Sequence, residues 1–197
     1  MQLDSNDLIE GLNDLDKIAL LLLHANDDAP IRDNLFYQKE FFLISNYISE
    51  IKDQSDFRPD SLGPYSEPAE ISIKNLISYT LVDKYKINNS YKLNERGKMV
   101  AKIIEKELSP EHKEAIHDFK LLLNDLTKEE LLAFIYFSFH NFTGESLILL
   151  NVIKKRVPTI ISLYKKNKIS LAKAASLSGV CIEDFLDVLR GHSDKNI

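Results

Sequence analysis

The sequence predicts a mainly α protein in two parts, the first carrying one short β-hairpin and the second ending in two short helices around a tight turn. Three observations predict it. Apolar residues recur at helical spacing through most of the 197 residues. The period changes once, to alternation, around Asn88-Asn89-Ser90. Near the end, "LAKAASLSGVCIEDFLDVL" puts Ala175 where two helices would touch and Gly179 in the turn between them. Six Gly and six Pro are too few for a loop-rich β fold.

Ile18, Leu21, Leu22 and Ala25 predict the first long helix, ended by the turn residues "NDDAP". A second helix is expected from about 34 to 51, burying Leu35, Phe41, Phe42, Ile44 and Ile48. "DQSDFRPDSLGPYSEP" reads as a loop closed by Gly63-Pro64. Ser66 is the expected N-cap of a third helix, with Pro68 in its first turn and Ile73, Leu76, Ile77 and Leu81 turned inward. Val82, Lys84 and Lys86 then alternate with Tyr85 and Ile87. Tyr91 and Leu93 follow the Asn-rich turn, which predicts a hairpin. A helix resumes after Gly97 through Met99, Ile103 and Ile104, and stops near Ser109-Pro110.

Three helices, a hairpin and a helix is the order of a winged helix. The stretches "IRDNLFYQKEFFLIS", "LGPYS", "LISYTLVDKY" and "YKLNERGK", in this order, resemble an archaeal winged-helix family of largely uncharacterised proteins. The resemblance covers about residues 14–108 and implies a winged-helix domain over 1–108, in a fold used both for duplex DNA and for protein docking.

Residues 109–197 are expected to form a helical domain ending in a helix-turn-helix. Ser109-Pro110 opens its first helix, and Thr127 with Glu130 forms a capping box for the next. That helix, through Phe134, Ile135 and Phe137, is apolar almost all round. It is expected at the centre of this region or, second, at a seam between two copies. Pro158 should kink or break the helix that follows. The tail "SLYKKNKISLAKAASLSGVCIEDFLDVL" resembles small antitoxin-like helix-turn-helix proteins found beside toxin genes. The matches are Leu163, Tyr164, Lys168, Ile169, Ser170, Ala174, Ala175, Gly179, Val180, Phe185 and Leu189. Two positions depart from the pattern: Asn167 replaces a usual glycine, and Cys181 stands where Ser normally caps the second helix, so a looser helix start is expected.

The net charge of −5 offers no whole-protein attraction to phosphate, so a nucleic-acid site must be a local patch. Two candidates exist. Lys84, Lys86 and Lys92 lie on the hairpin, with Arg96 and Lys98 just beyond. Lys154, Lys155, Arg156, Lys165, Lys166, Lys168 and Lys173 lead into the helix-turn-helix. Such contacts would position the protein on duplex DNA without specifying sequence; a solvated lysine face explains the same runs. The helices placed to enter a major groove are acidic. The third helix would present Glu67, Glu70, Lys74 and Ser78, its two carboxylates reading as complements of the helix dipole. The last helix presents Glu183, Asp184 and Asp187, with Arg190 at its end. Base edges are usually met by Arg, Lys, Asn or Gln. The expected function is therefore a dimeric, DNA-associated transcriptional regulator. The alternative is an interaction module, antitoxin-like or adaptor, docking a basic protein on Glu183, Asp184, Asp187 and Arg190.

Other classes are disfavoured. One cysteine, Cys181, excludes an intrachain disulfide and fits a reducing cytosol, so a cytoplasmic location is expected. "MQLDSNDLIEGLNDLDK" is acidic from its fourth residue, unlike a signal peptide, and "LLAFIYFSFHNF" is too short to span a bilayer. His24, His112, His117, His140 and His192 are scattered; "HKEAIH" sets two on opposite sides of a helix, where one metal cannot bridge them. No Gly-rich phosphate loop appears, and "GESL" lacks the glycines of a nucleophile elbow. Glu183 and Asp184 discourage a thiolate at Cys181, which reads as a small residue packed at a turn. No enzyme activity, cofactor or metal is expected.

Overall fold

A computed structural model describes residues 5–193. Its chain forms two compact units, one from residues up to 58 together with 64–125, the other from 59–63 and from 126 onward. The described residues are mainly helical, with one small antiparallel sheet.

The first unit runs α1 (Ser5–Glu10), α2 (Asp14–Asp28), α3 (Asn34–Tyr47), α4 (Ser49–Ser55), α5 (Glu67–Ser78), β1 (Val82–Lys84), β2 (Tyr91–Leu93), α6 (Glu95–Ile104) and α7 (Pro110–Asn124). Leu15 and every residue from Ile18 to Leu23 are buried, so α2 is wrapped on nearly all sides and is the central helix. Its regular turn stops at Ala25, and Asn26, Asp27 and Asp28 follow in the left-handed region at φ 53°, 54° and 57°. Asn and Asp tolerate that region better than most residues. The single helix expected over 34–51 is two: Ile48 is extended between α3 and α4. Ser45 and Asn46 both donate their side chains to the Phe42 carbonyl, competing with the backbone ladder where the helix ends.

The middle of α3 is buried although it is polar. The Tyr37 hydroxyl donates to the Ala69 carbonyl at 2.8 Å, and the Lys39 ammonium to that of Pro64 at 2.7 Å. The Gln38 amide exchanges two bonds with the Ser66 backbone, each 2.9 Å. "YQK" thus holds the "GPYS" turn and the start of α5. Ser66 caps α5 as expected, accepting from the Ala69 amide, with Pro68 in the first turn.

The hairpin pairs Val82 with Leu93 and Lys84 with Tyr91, three residues a strand. The alternation ends there: Tyr85 is half-exposed and Ile87 fully exposed at the tip. Ile31 adds an isolated antiparallel bridge, exchanging two backbone bonds with Tyr91. Asn94 caps α6, accepting from the Gly97 amide, and its own amide nitrogen donates to the Leu81 carbonyl. That brings the Cα of Gly97 against the same carbonyl, where any Cβ would lie 2.1 Å from the oxygen.

The compact units part after Asp125, not after the expected boundary at residue 108. The reason is α7, whose Ile116, Lys120 and Leu123 are buried where it packs on α2 and α3.

The second unit runs α8 (Lys128–Ser138), α9 (Leu149–Lys154), α10 (Arg156–Lys165), α11 (Leu171–Ser178) and α12 (Ile182–Ser193). The Thr127–Glu130 capping box is present. Every side chain from 131 to 137 is buried, so α8 is this unit's centre and not a seam between copies. The break expected at Val157-Pro158 falls at Lys155, and Pro158 sits in the first turn of α10. A proline there needs no donor, whereas a continuous helix would press its ring on the carbonyl of Lys154. Among the described residues no helix is long and apolar enough to cross a membrane.

Candidate nucleic-acid interface

On the hairpin, the structure separates cations the sequence grouped. Lys84 and Lys86 are exposed and Lys92 half-buried, and none makes an ion pair among the described residues. The Lys84 ammonium rests 5.4 Å from the centre of the Tyr91 ring, which orients it. Pairing sets Lys92 opposite Asp83, on the other face from Lys84. Arg96 and Lys98 are structural. Arg96 donates to the Tyr79 carbonyl and the Thr80 hydroxyl at 3.3 and 3.2 Å, clamping the turn before β1. Lys98 pairs with Glu95 at 2.8 Å and approaches Asp28 at 3.8 Å.

The outer face of α5 carries Glu67, Ile71, Lys74 and Ser78 exposed. Glu70, expected to point outward, is drawn in: it accepts from the Tyr65 hydroxyl at 2.5 Å and the Asn34 amide at 3.4 Å, and pairs with Lys74 at 2.6 Å. Bonds from Lys74 and then Tyr65 hold its carboxyl below the usual carboxylate range. Its role at the helix start is packing as well as dipole compensation.

In the second unit the basic run also divides. Lys154, Lys155, Lys165 and Lys173 are exposed, and Lys168 is half-buried. Lys173 lies 5.9 Å from the Phe134 ring centre. Arg156 is committed to the fold. Its Nε donates to the Leu177 carbonyl at 2.6 Å and its guanidinium lies 4.4 Å from the Phe137 ring centre, against the Cα of Gly179. It thereby caps the carbonyl end of α11. Lys166 pairs with Glu130 at 2.8 Å. Burial alone would raise the Glu130 carboxyl, but bonds from Lys166, the Thr127 amide and the Ser162 hydroxyl hold it below its ordinary value. Arg156→Ala is expected to destabilise the second unit by on the order of 2 kcal/mol, read by thermal melting, whereas Lys154→Ala should leave its stability unchanged.

Gly179 closes α11 in the left-handed region at φ 78°, and Phe185 of α12 is fully buried, edge-on to Tyr164 at 5.9 Å. Both departures from the antitoxin-like pattern are accommodated. Asn167 adopts φ 56°, the conformation a glycine would supply, and the Cys181 sulfur accepts from the Asp184 amide at 3.4 Å in the capping position. Cys181 is exposed, however, not packed as expected. Glu183 and Asp184 are exposed without an ion pair among the described residues, while Asp187 pairs with Arg190 at 2.8 Å.

His24 and His117, distant in sequence, line one open cleft of about 440 Å³ in the first unit, where His24 Nδ1 lies 2.6 Å from Asp28. The cleft walls carry both signs of charge, from Asp27, Asp28, Lys102 and Lys113. Among the described residues no three His, Cys, Asp or Glu side chains are grouped to hold a metal; the His192 side chain lies outside them. The chain has no match among known protein families, characterised proteins or solved structures.

Proposed function

We propose that this protein is a DNA-associated regulator whose first unit is a winged helix, gripping the phosphate backbone rather than reading bases. The reading rests above all on the hairpin, where Lys84 and Lys86 stand exposed beside a fully exposed tip and make no ion pair among the described residues. The Ile31–Tyr91 bridge between α2 and α3 adds the short third sheet element a winged helix has at that point. Lys154, Lys155 and Lys165 supply a second set of phosphate contacts. Arg96, Lys98, Arg156 and Lys166 are occupied by the fold and drop out of the interface.

Titration of mixed duplex fragments by fluorescence anisotropy tests this. Affinity should fall steeply with salt, because each neutralised phosphate releases counterions. Lys84→Ala with Lys86→Ala should weaken binding to all sequences and flatten the salt slope by about 2. No binding at low salt refutes the proposal. A second reading, an antitoxin-like or adaptor module in a helix-turn-helix tail, draws on the exposed and unpaired Glu183 and Asp184. It requires a basic protein partner that Glu183→Lys with Asp184→Lys would abolish.

A further inference from the structure

From residue 139 to 159 no residue is fully buried, although the run contains Leu147, Ile148, Leu149, Leu150, Val152 and Ile153. Large apolar side chains left exposed together on a globular unit mark a contact site. α9 has two faces. Ile148, Asn151, Val152 and Lys155 line a groove of about 310 Å³ within the second unit. On the other side, with exposures of 85%, 72% and 47%, Leu147, Leu150 and Ile153 follow one another at intervals of three residues. That spacing makes one apolar stripe along the helix and the turn before it.

We propose that this stripe is the seam of a homodimer, in which α9 packs antiparallel against α9 of a second copy. The charges at its two ends select that occupant and that direction. Glu145 is exposed at the beginning and Lys154 at the end, and neither makes an ion pair among the described residues. An isologous contact sets residue i against j and j against i. With the two-fold axis at Leu150, each Leu150 meets its counterpart, Leu147 meets the partner's Ile153, and Glu145 meets the partner's Lys154. The sequence order acid, three apolar residues, base is its own complement in this arrangement. A parallel pairing would instead set Glu145 on Glu145. Lys155, on the groove side of α9, stays available to phosphate. The dimer does not depend on DNA binding, and its test contains none.

Sedimentation velocity on the full chain should show a dimer, and Leu150→Asp, at an exposed position, should give a monomer with an unchanged circular dichroism spectrum. Glu145→Lys should weaken association by at least about tenfold, and adding Lys154→Glu should restore it. With Cys181→Ser to remove the other thiol, Leu150→Cys should oxidise to a disulfide-linked dimer, because the axis brings the two thiols together. A wild-type monomer at the highest concentration reached, or a dimer that survives Leu150→Asp, overturns the proposal.

Discussion

Gly97→Ala is expected to destabilise the first unit by about 3 kcal/mol or more and to lower its melting temperature by more than about 10 °C. The usual sign is the reverse, since alanine in place of glycine inside a helix stabilises by about 0.5–1 kcal/mol. Geometry reverses it here. The added Cβ would sit 2.1 Å from the Leu81 oxygen and 3.0 Å from its carbon, with Leu93 Cδ2 at 3.1 Å. The first two are backbone atoms, held in place because the Leu81 amide donates to the Leu76 carbonyl and its oxygen accepts from the Asn94 amide. Separation of α6 from the start of β1 would break the bonds from the Asn94 backbone amide to the Leu81 carbonyl and from its side-chain amide to the Thr80 carbonyl, so no inexpensive relaxation exists. Gly144, with open space where its Cβ would lie, is the control: Gly144→Ala should change stability by less than about 0.5 kcal/mol. Equal urea midpoints for Gly97→Ala and the wild type would refute the close approach.

Lys120→Ala is expected to cost about 3 kcal/mol or more, because it leaves two buried carbonyls unpaired and empties a packed site. The Lys120 ammonium is fully buried and donates to the Leu23 and Ala25 carbonyls at 2.9 and 2.7 Å, closing the end of α2 where the left-handed residues begin. Beside it lies Glu40, also fully buried, neither of whose oxygens has a hydrogen-bond partner. Burial pushes the Glu40 carboxyl up to about 8, against the downward pull of Lys120 and Arg32. Burial pushes Lys120 down to about 8, against the upward pull of Glu40 and Asp28. At neutral pH the carboxyl is therefore mainly protonated and the ammonium mainly charged.

For Glu40 the folded value lies above the unfolded one. Its contribution to stability is complete below about pH 4.5 and is lost as pH rises toward 8. Lys120 acts in the opposite sense and higher up, its contribution being complete above about 10.5 and lost as pH falls toward 8. Glu40→Gln stays neutral throughout, so its melting temperature should gain on the wild type between pH 5 and pH 8. A constant difference across that interval would show that Glu40 does not titrate as its burial requires.

Helix starts were legible in the sequence because a cap acts over three residues. Ser66, Ser109 and Thr127 all accept from the backbone amide three positions on. The hairpin and the buried α8 were legible for a related reason, since periodicity is local. The candidate site was legible only as charge. Nothing near Arg156 in the sequence points to the Leu177 carbonyl 21 residues away, nor near Lys166 to Glu130 36 residues away. Two of the five cations grouped on the first unit, Arg96 and Lys98, and two of the seven on the second, Arg156 and Lys166, are therefore held in fold contacts. The buried polar residues of α3 left a signal that could have been used: "YQKE" interrupts an apolar run, and three of its four side chains close on the backbone of another segment. Membership of α7 in the first unit left none, because which helix covers α2 is decided by the tertiary fold.

The short loop 59–63 has a consequence for modularity. It is encoded inside the first half of the chain yet belongs to the second unit, where Ser61 accepts from the Leu147 amide and Gly63 lies against the Tyr136 ring. No single cut therefore yields two intact halves. A fragment starting at Leu126 lacks part of its own structure, and one ending at Asp125 retains a piece that has lost its seat. A gene rearrangement that joined either half to another protein would meet the same obstacle.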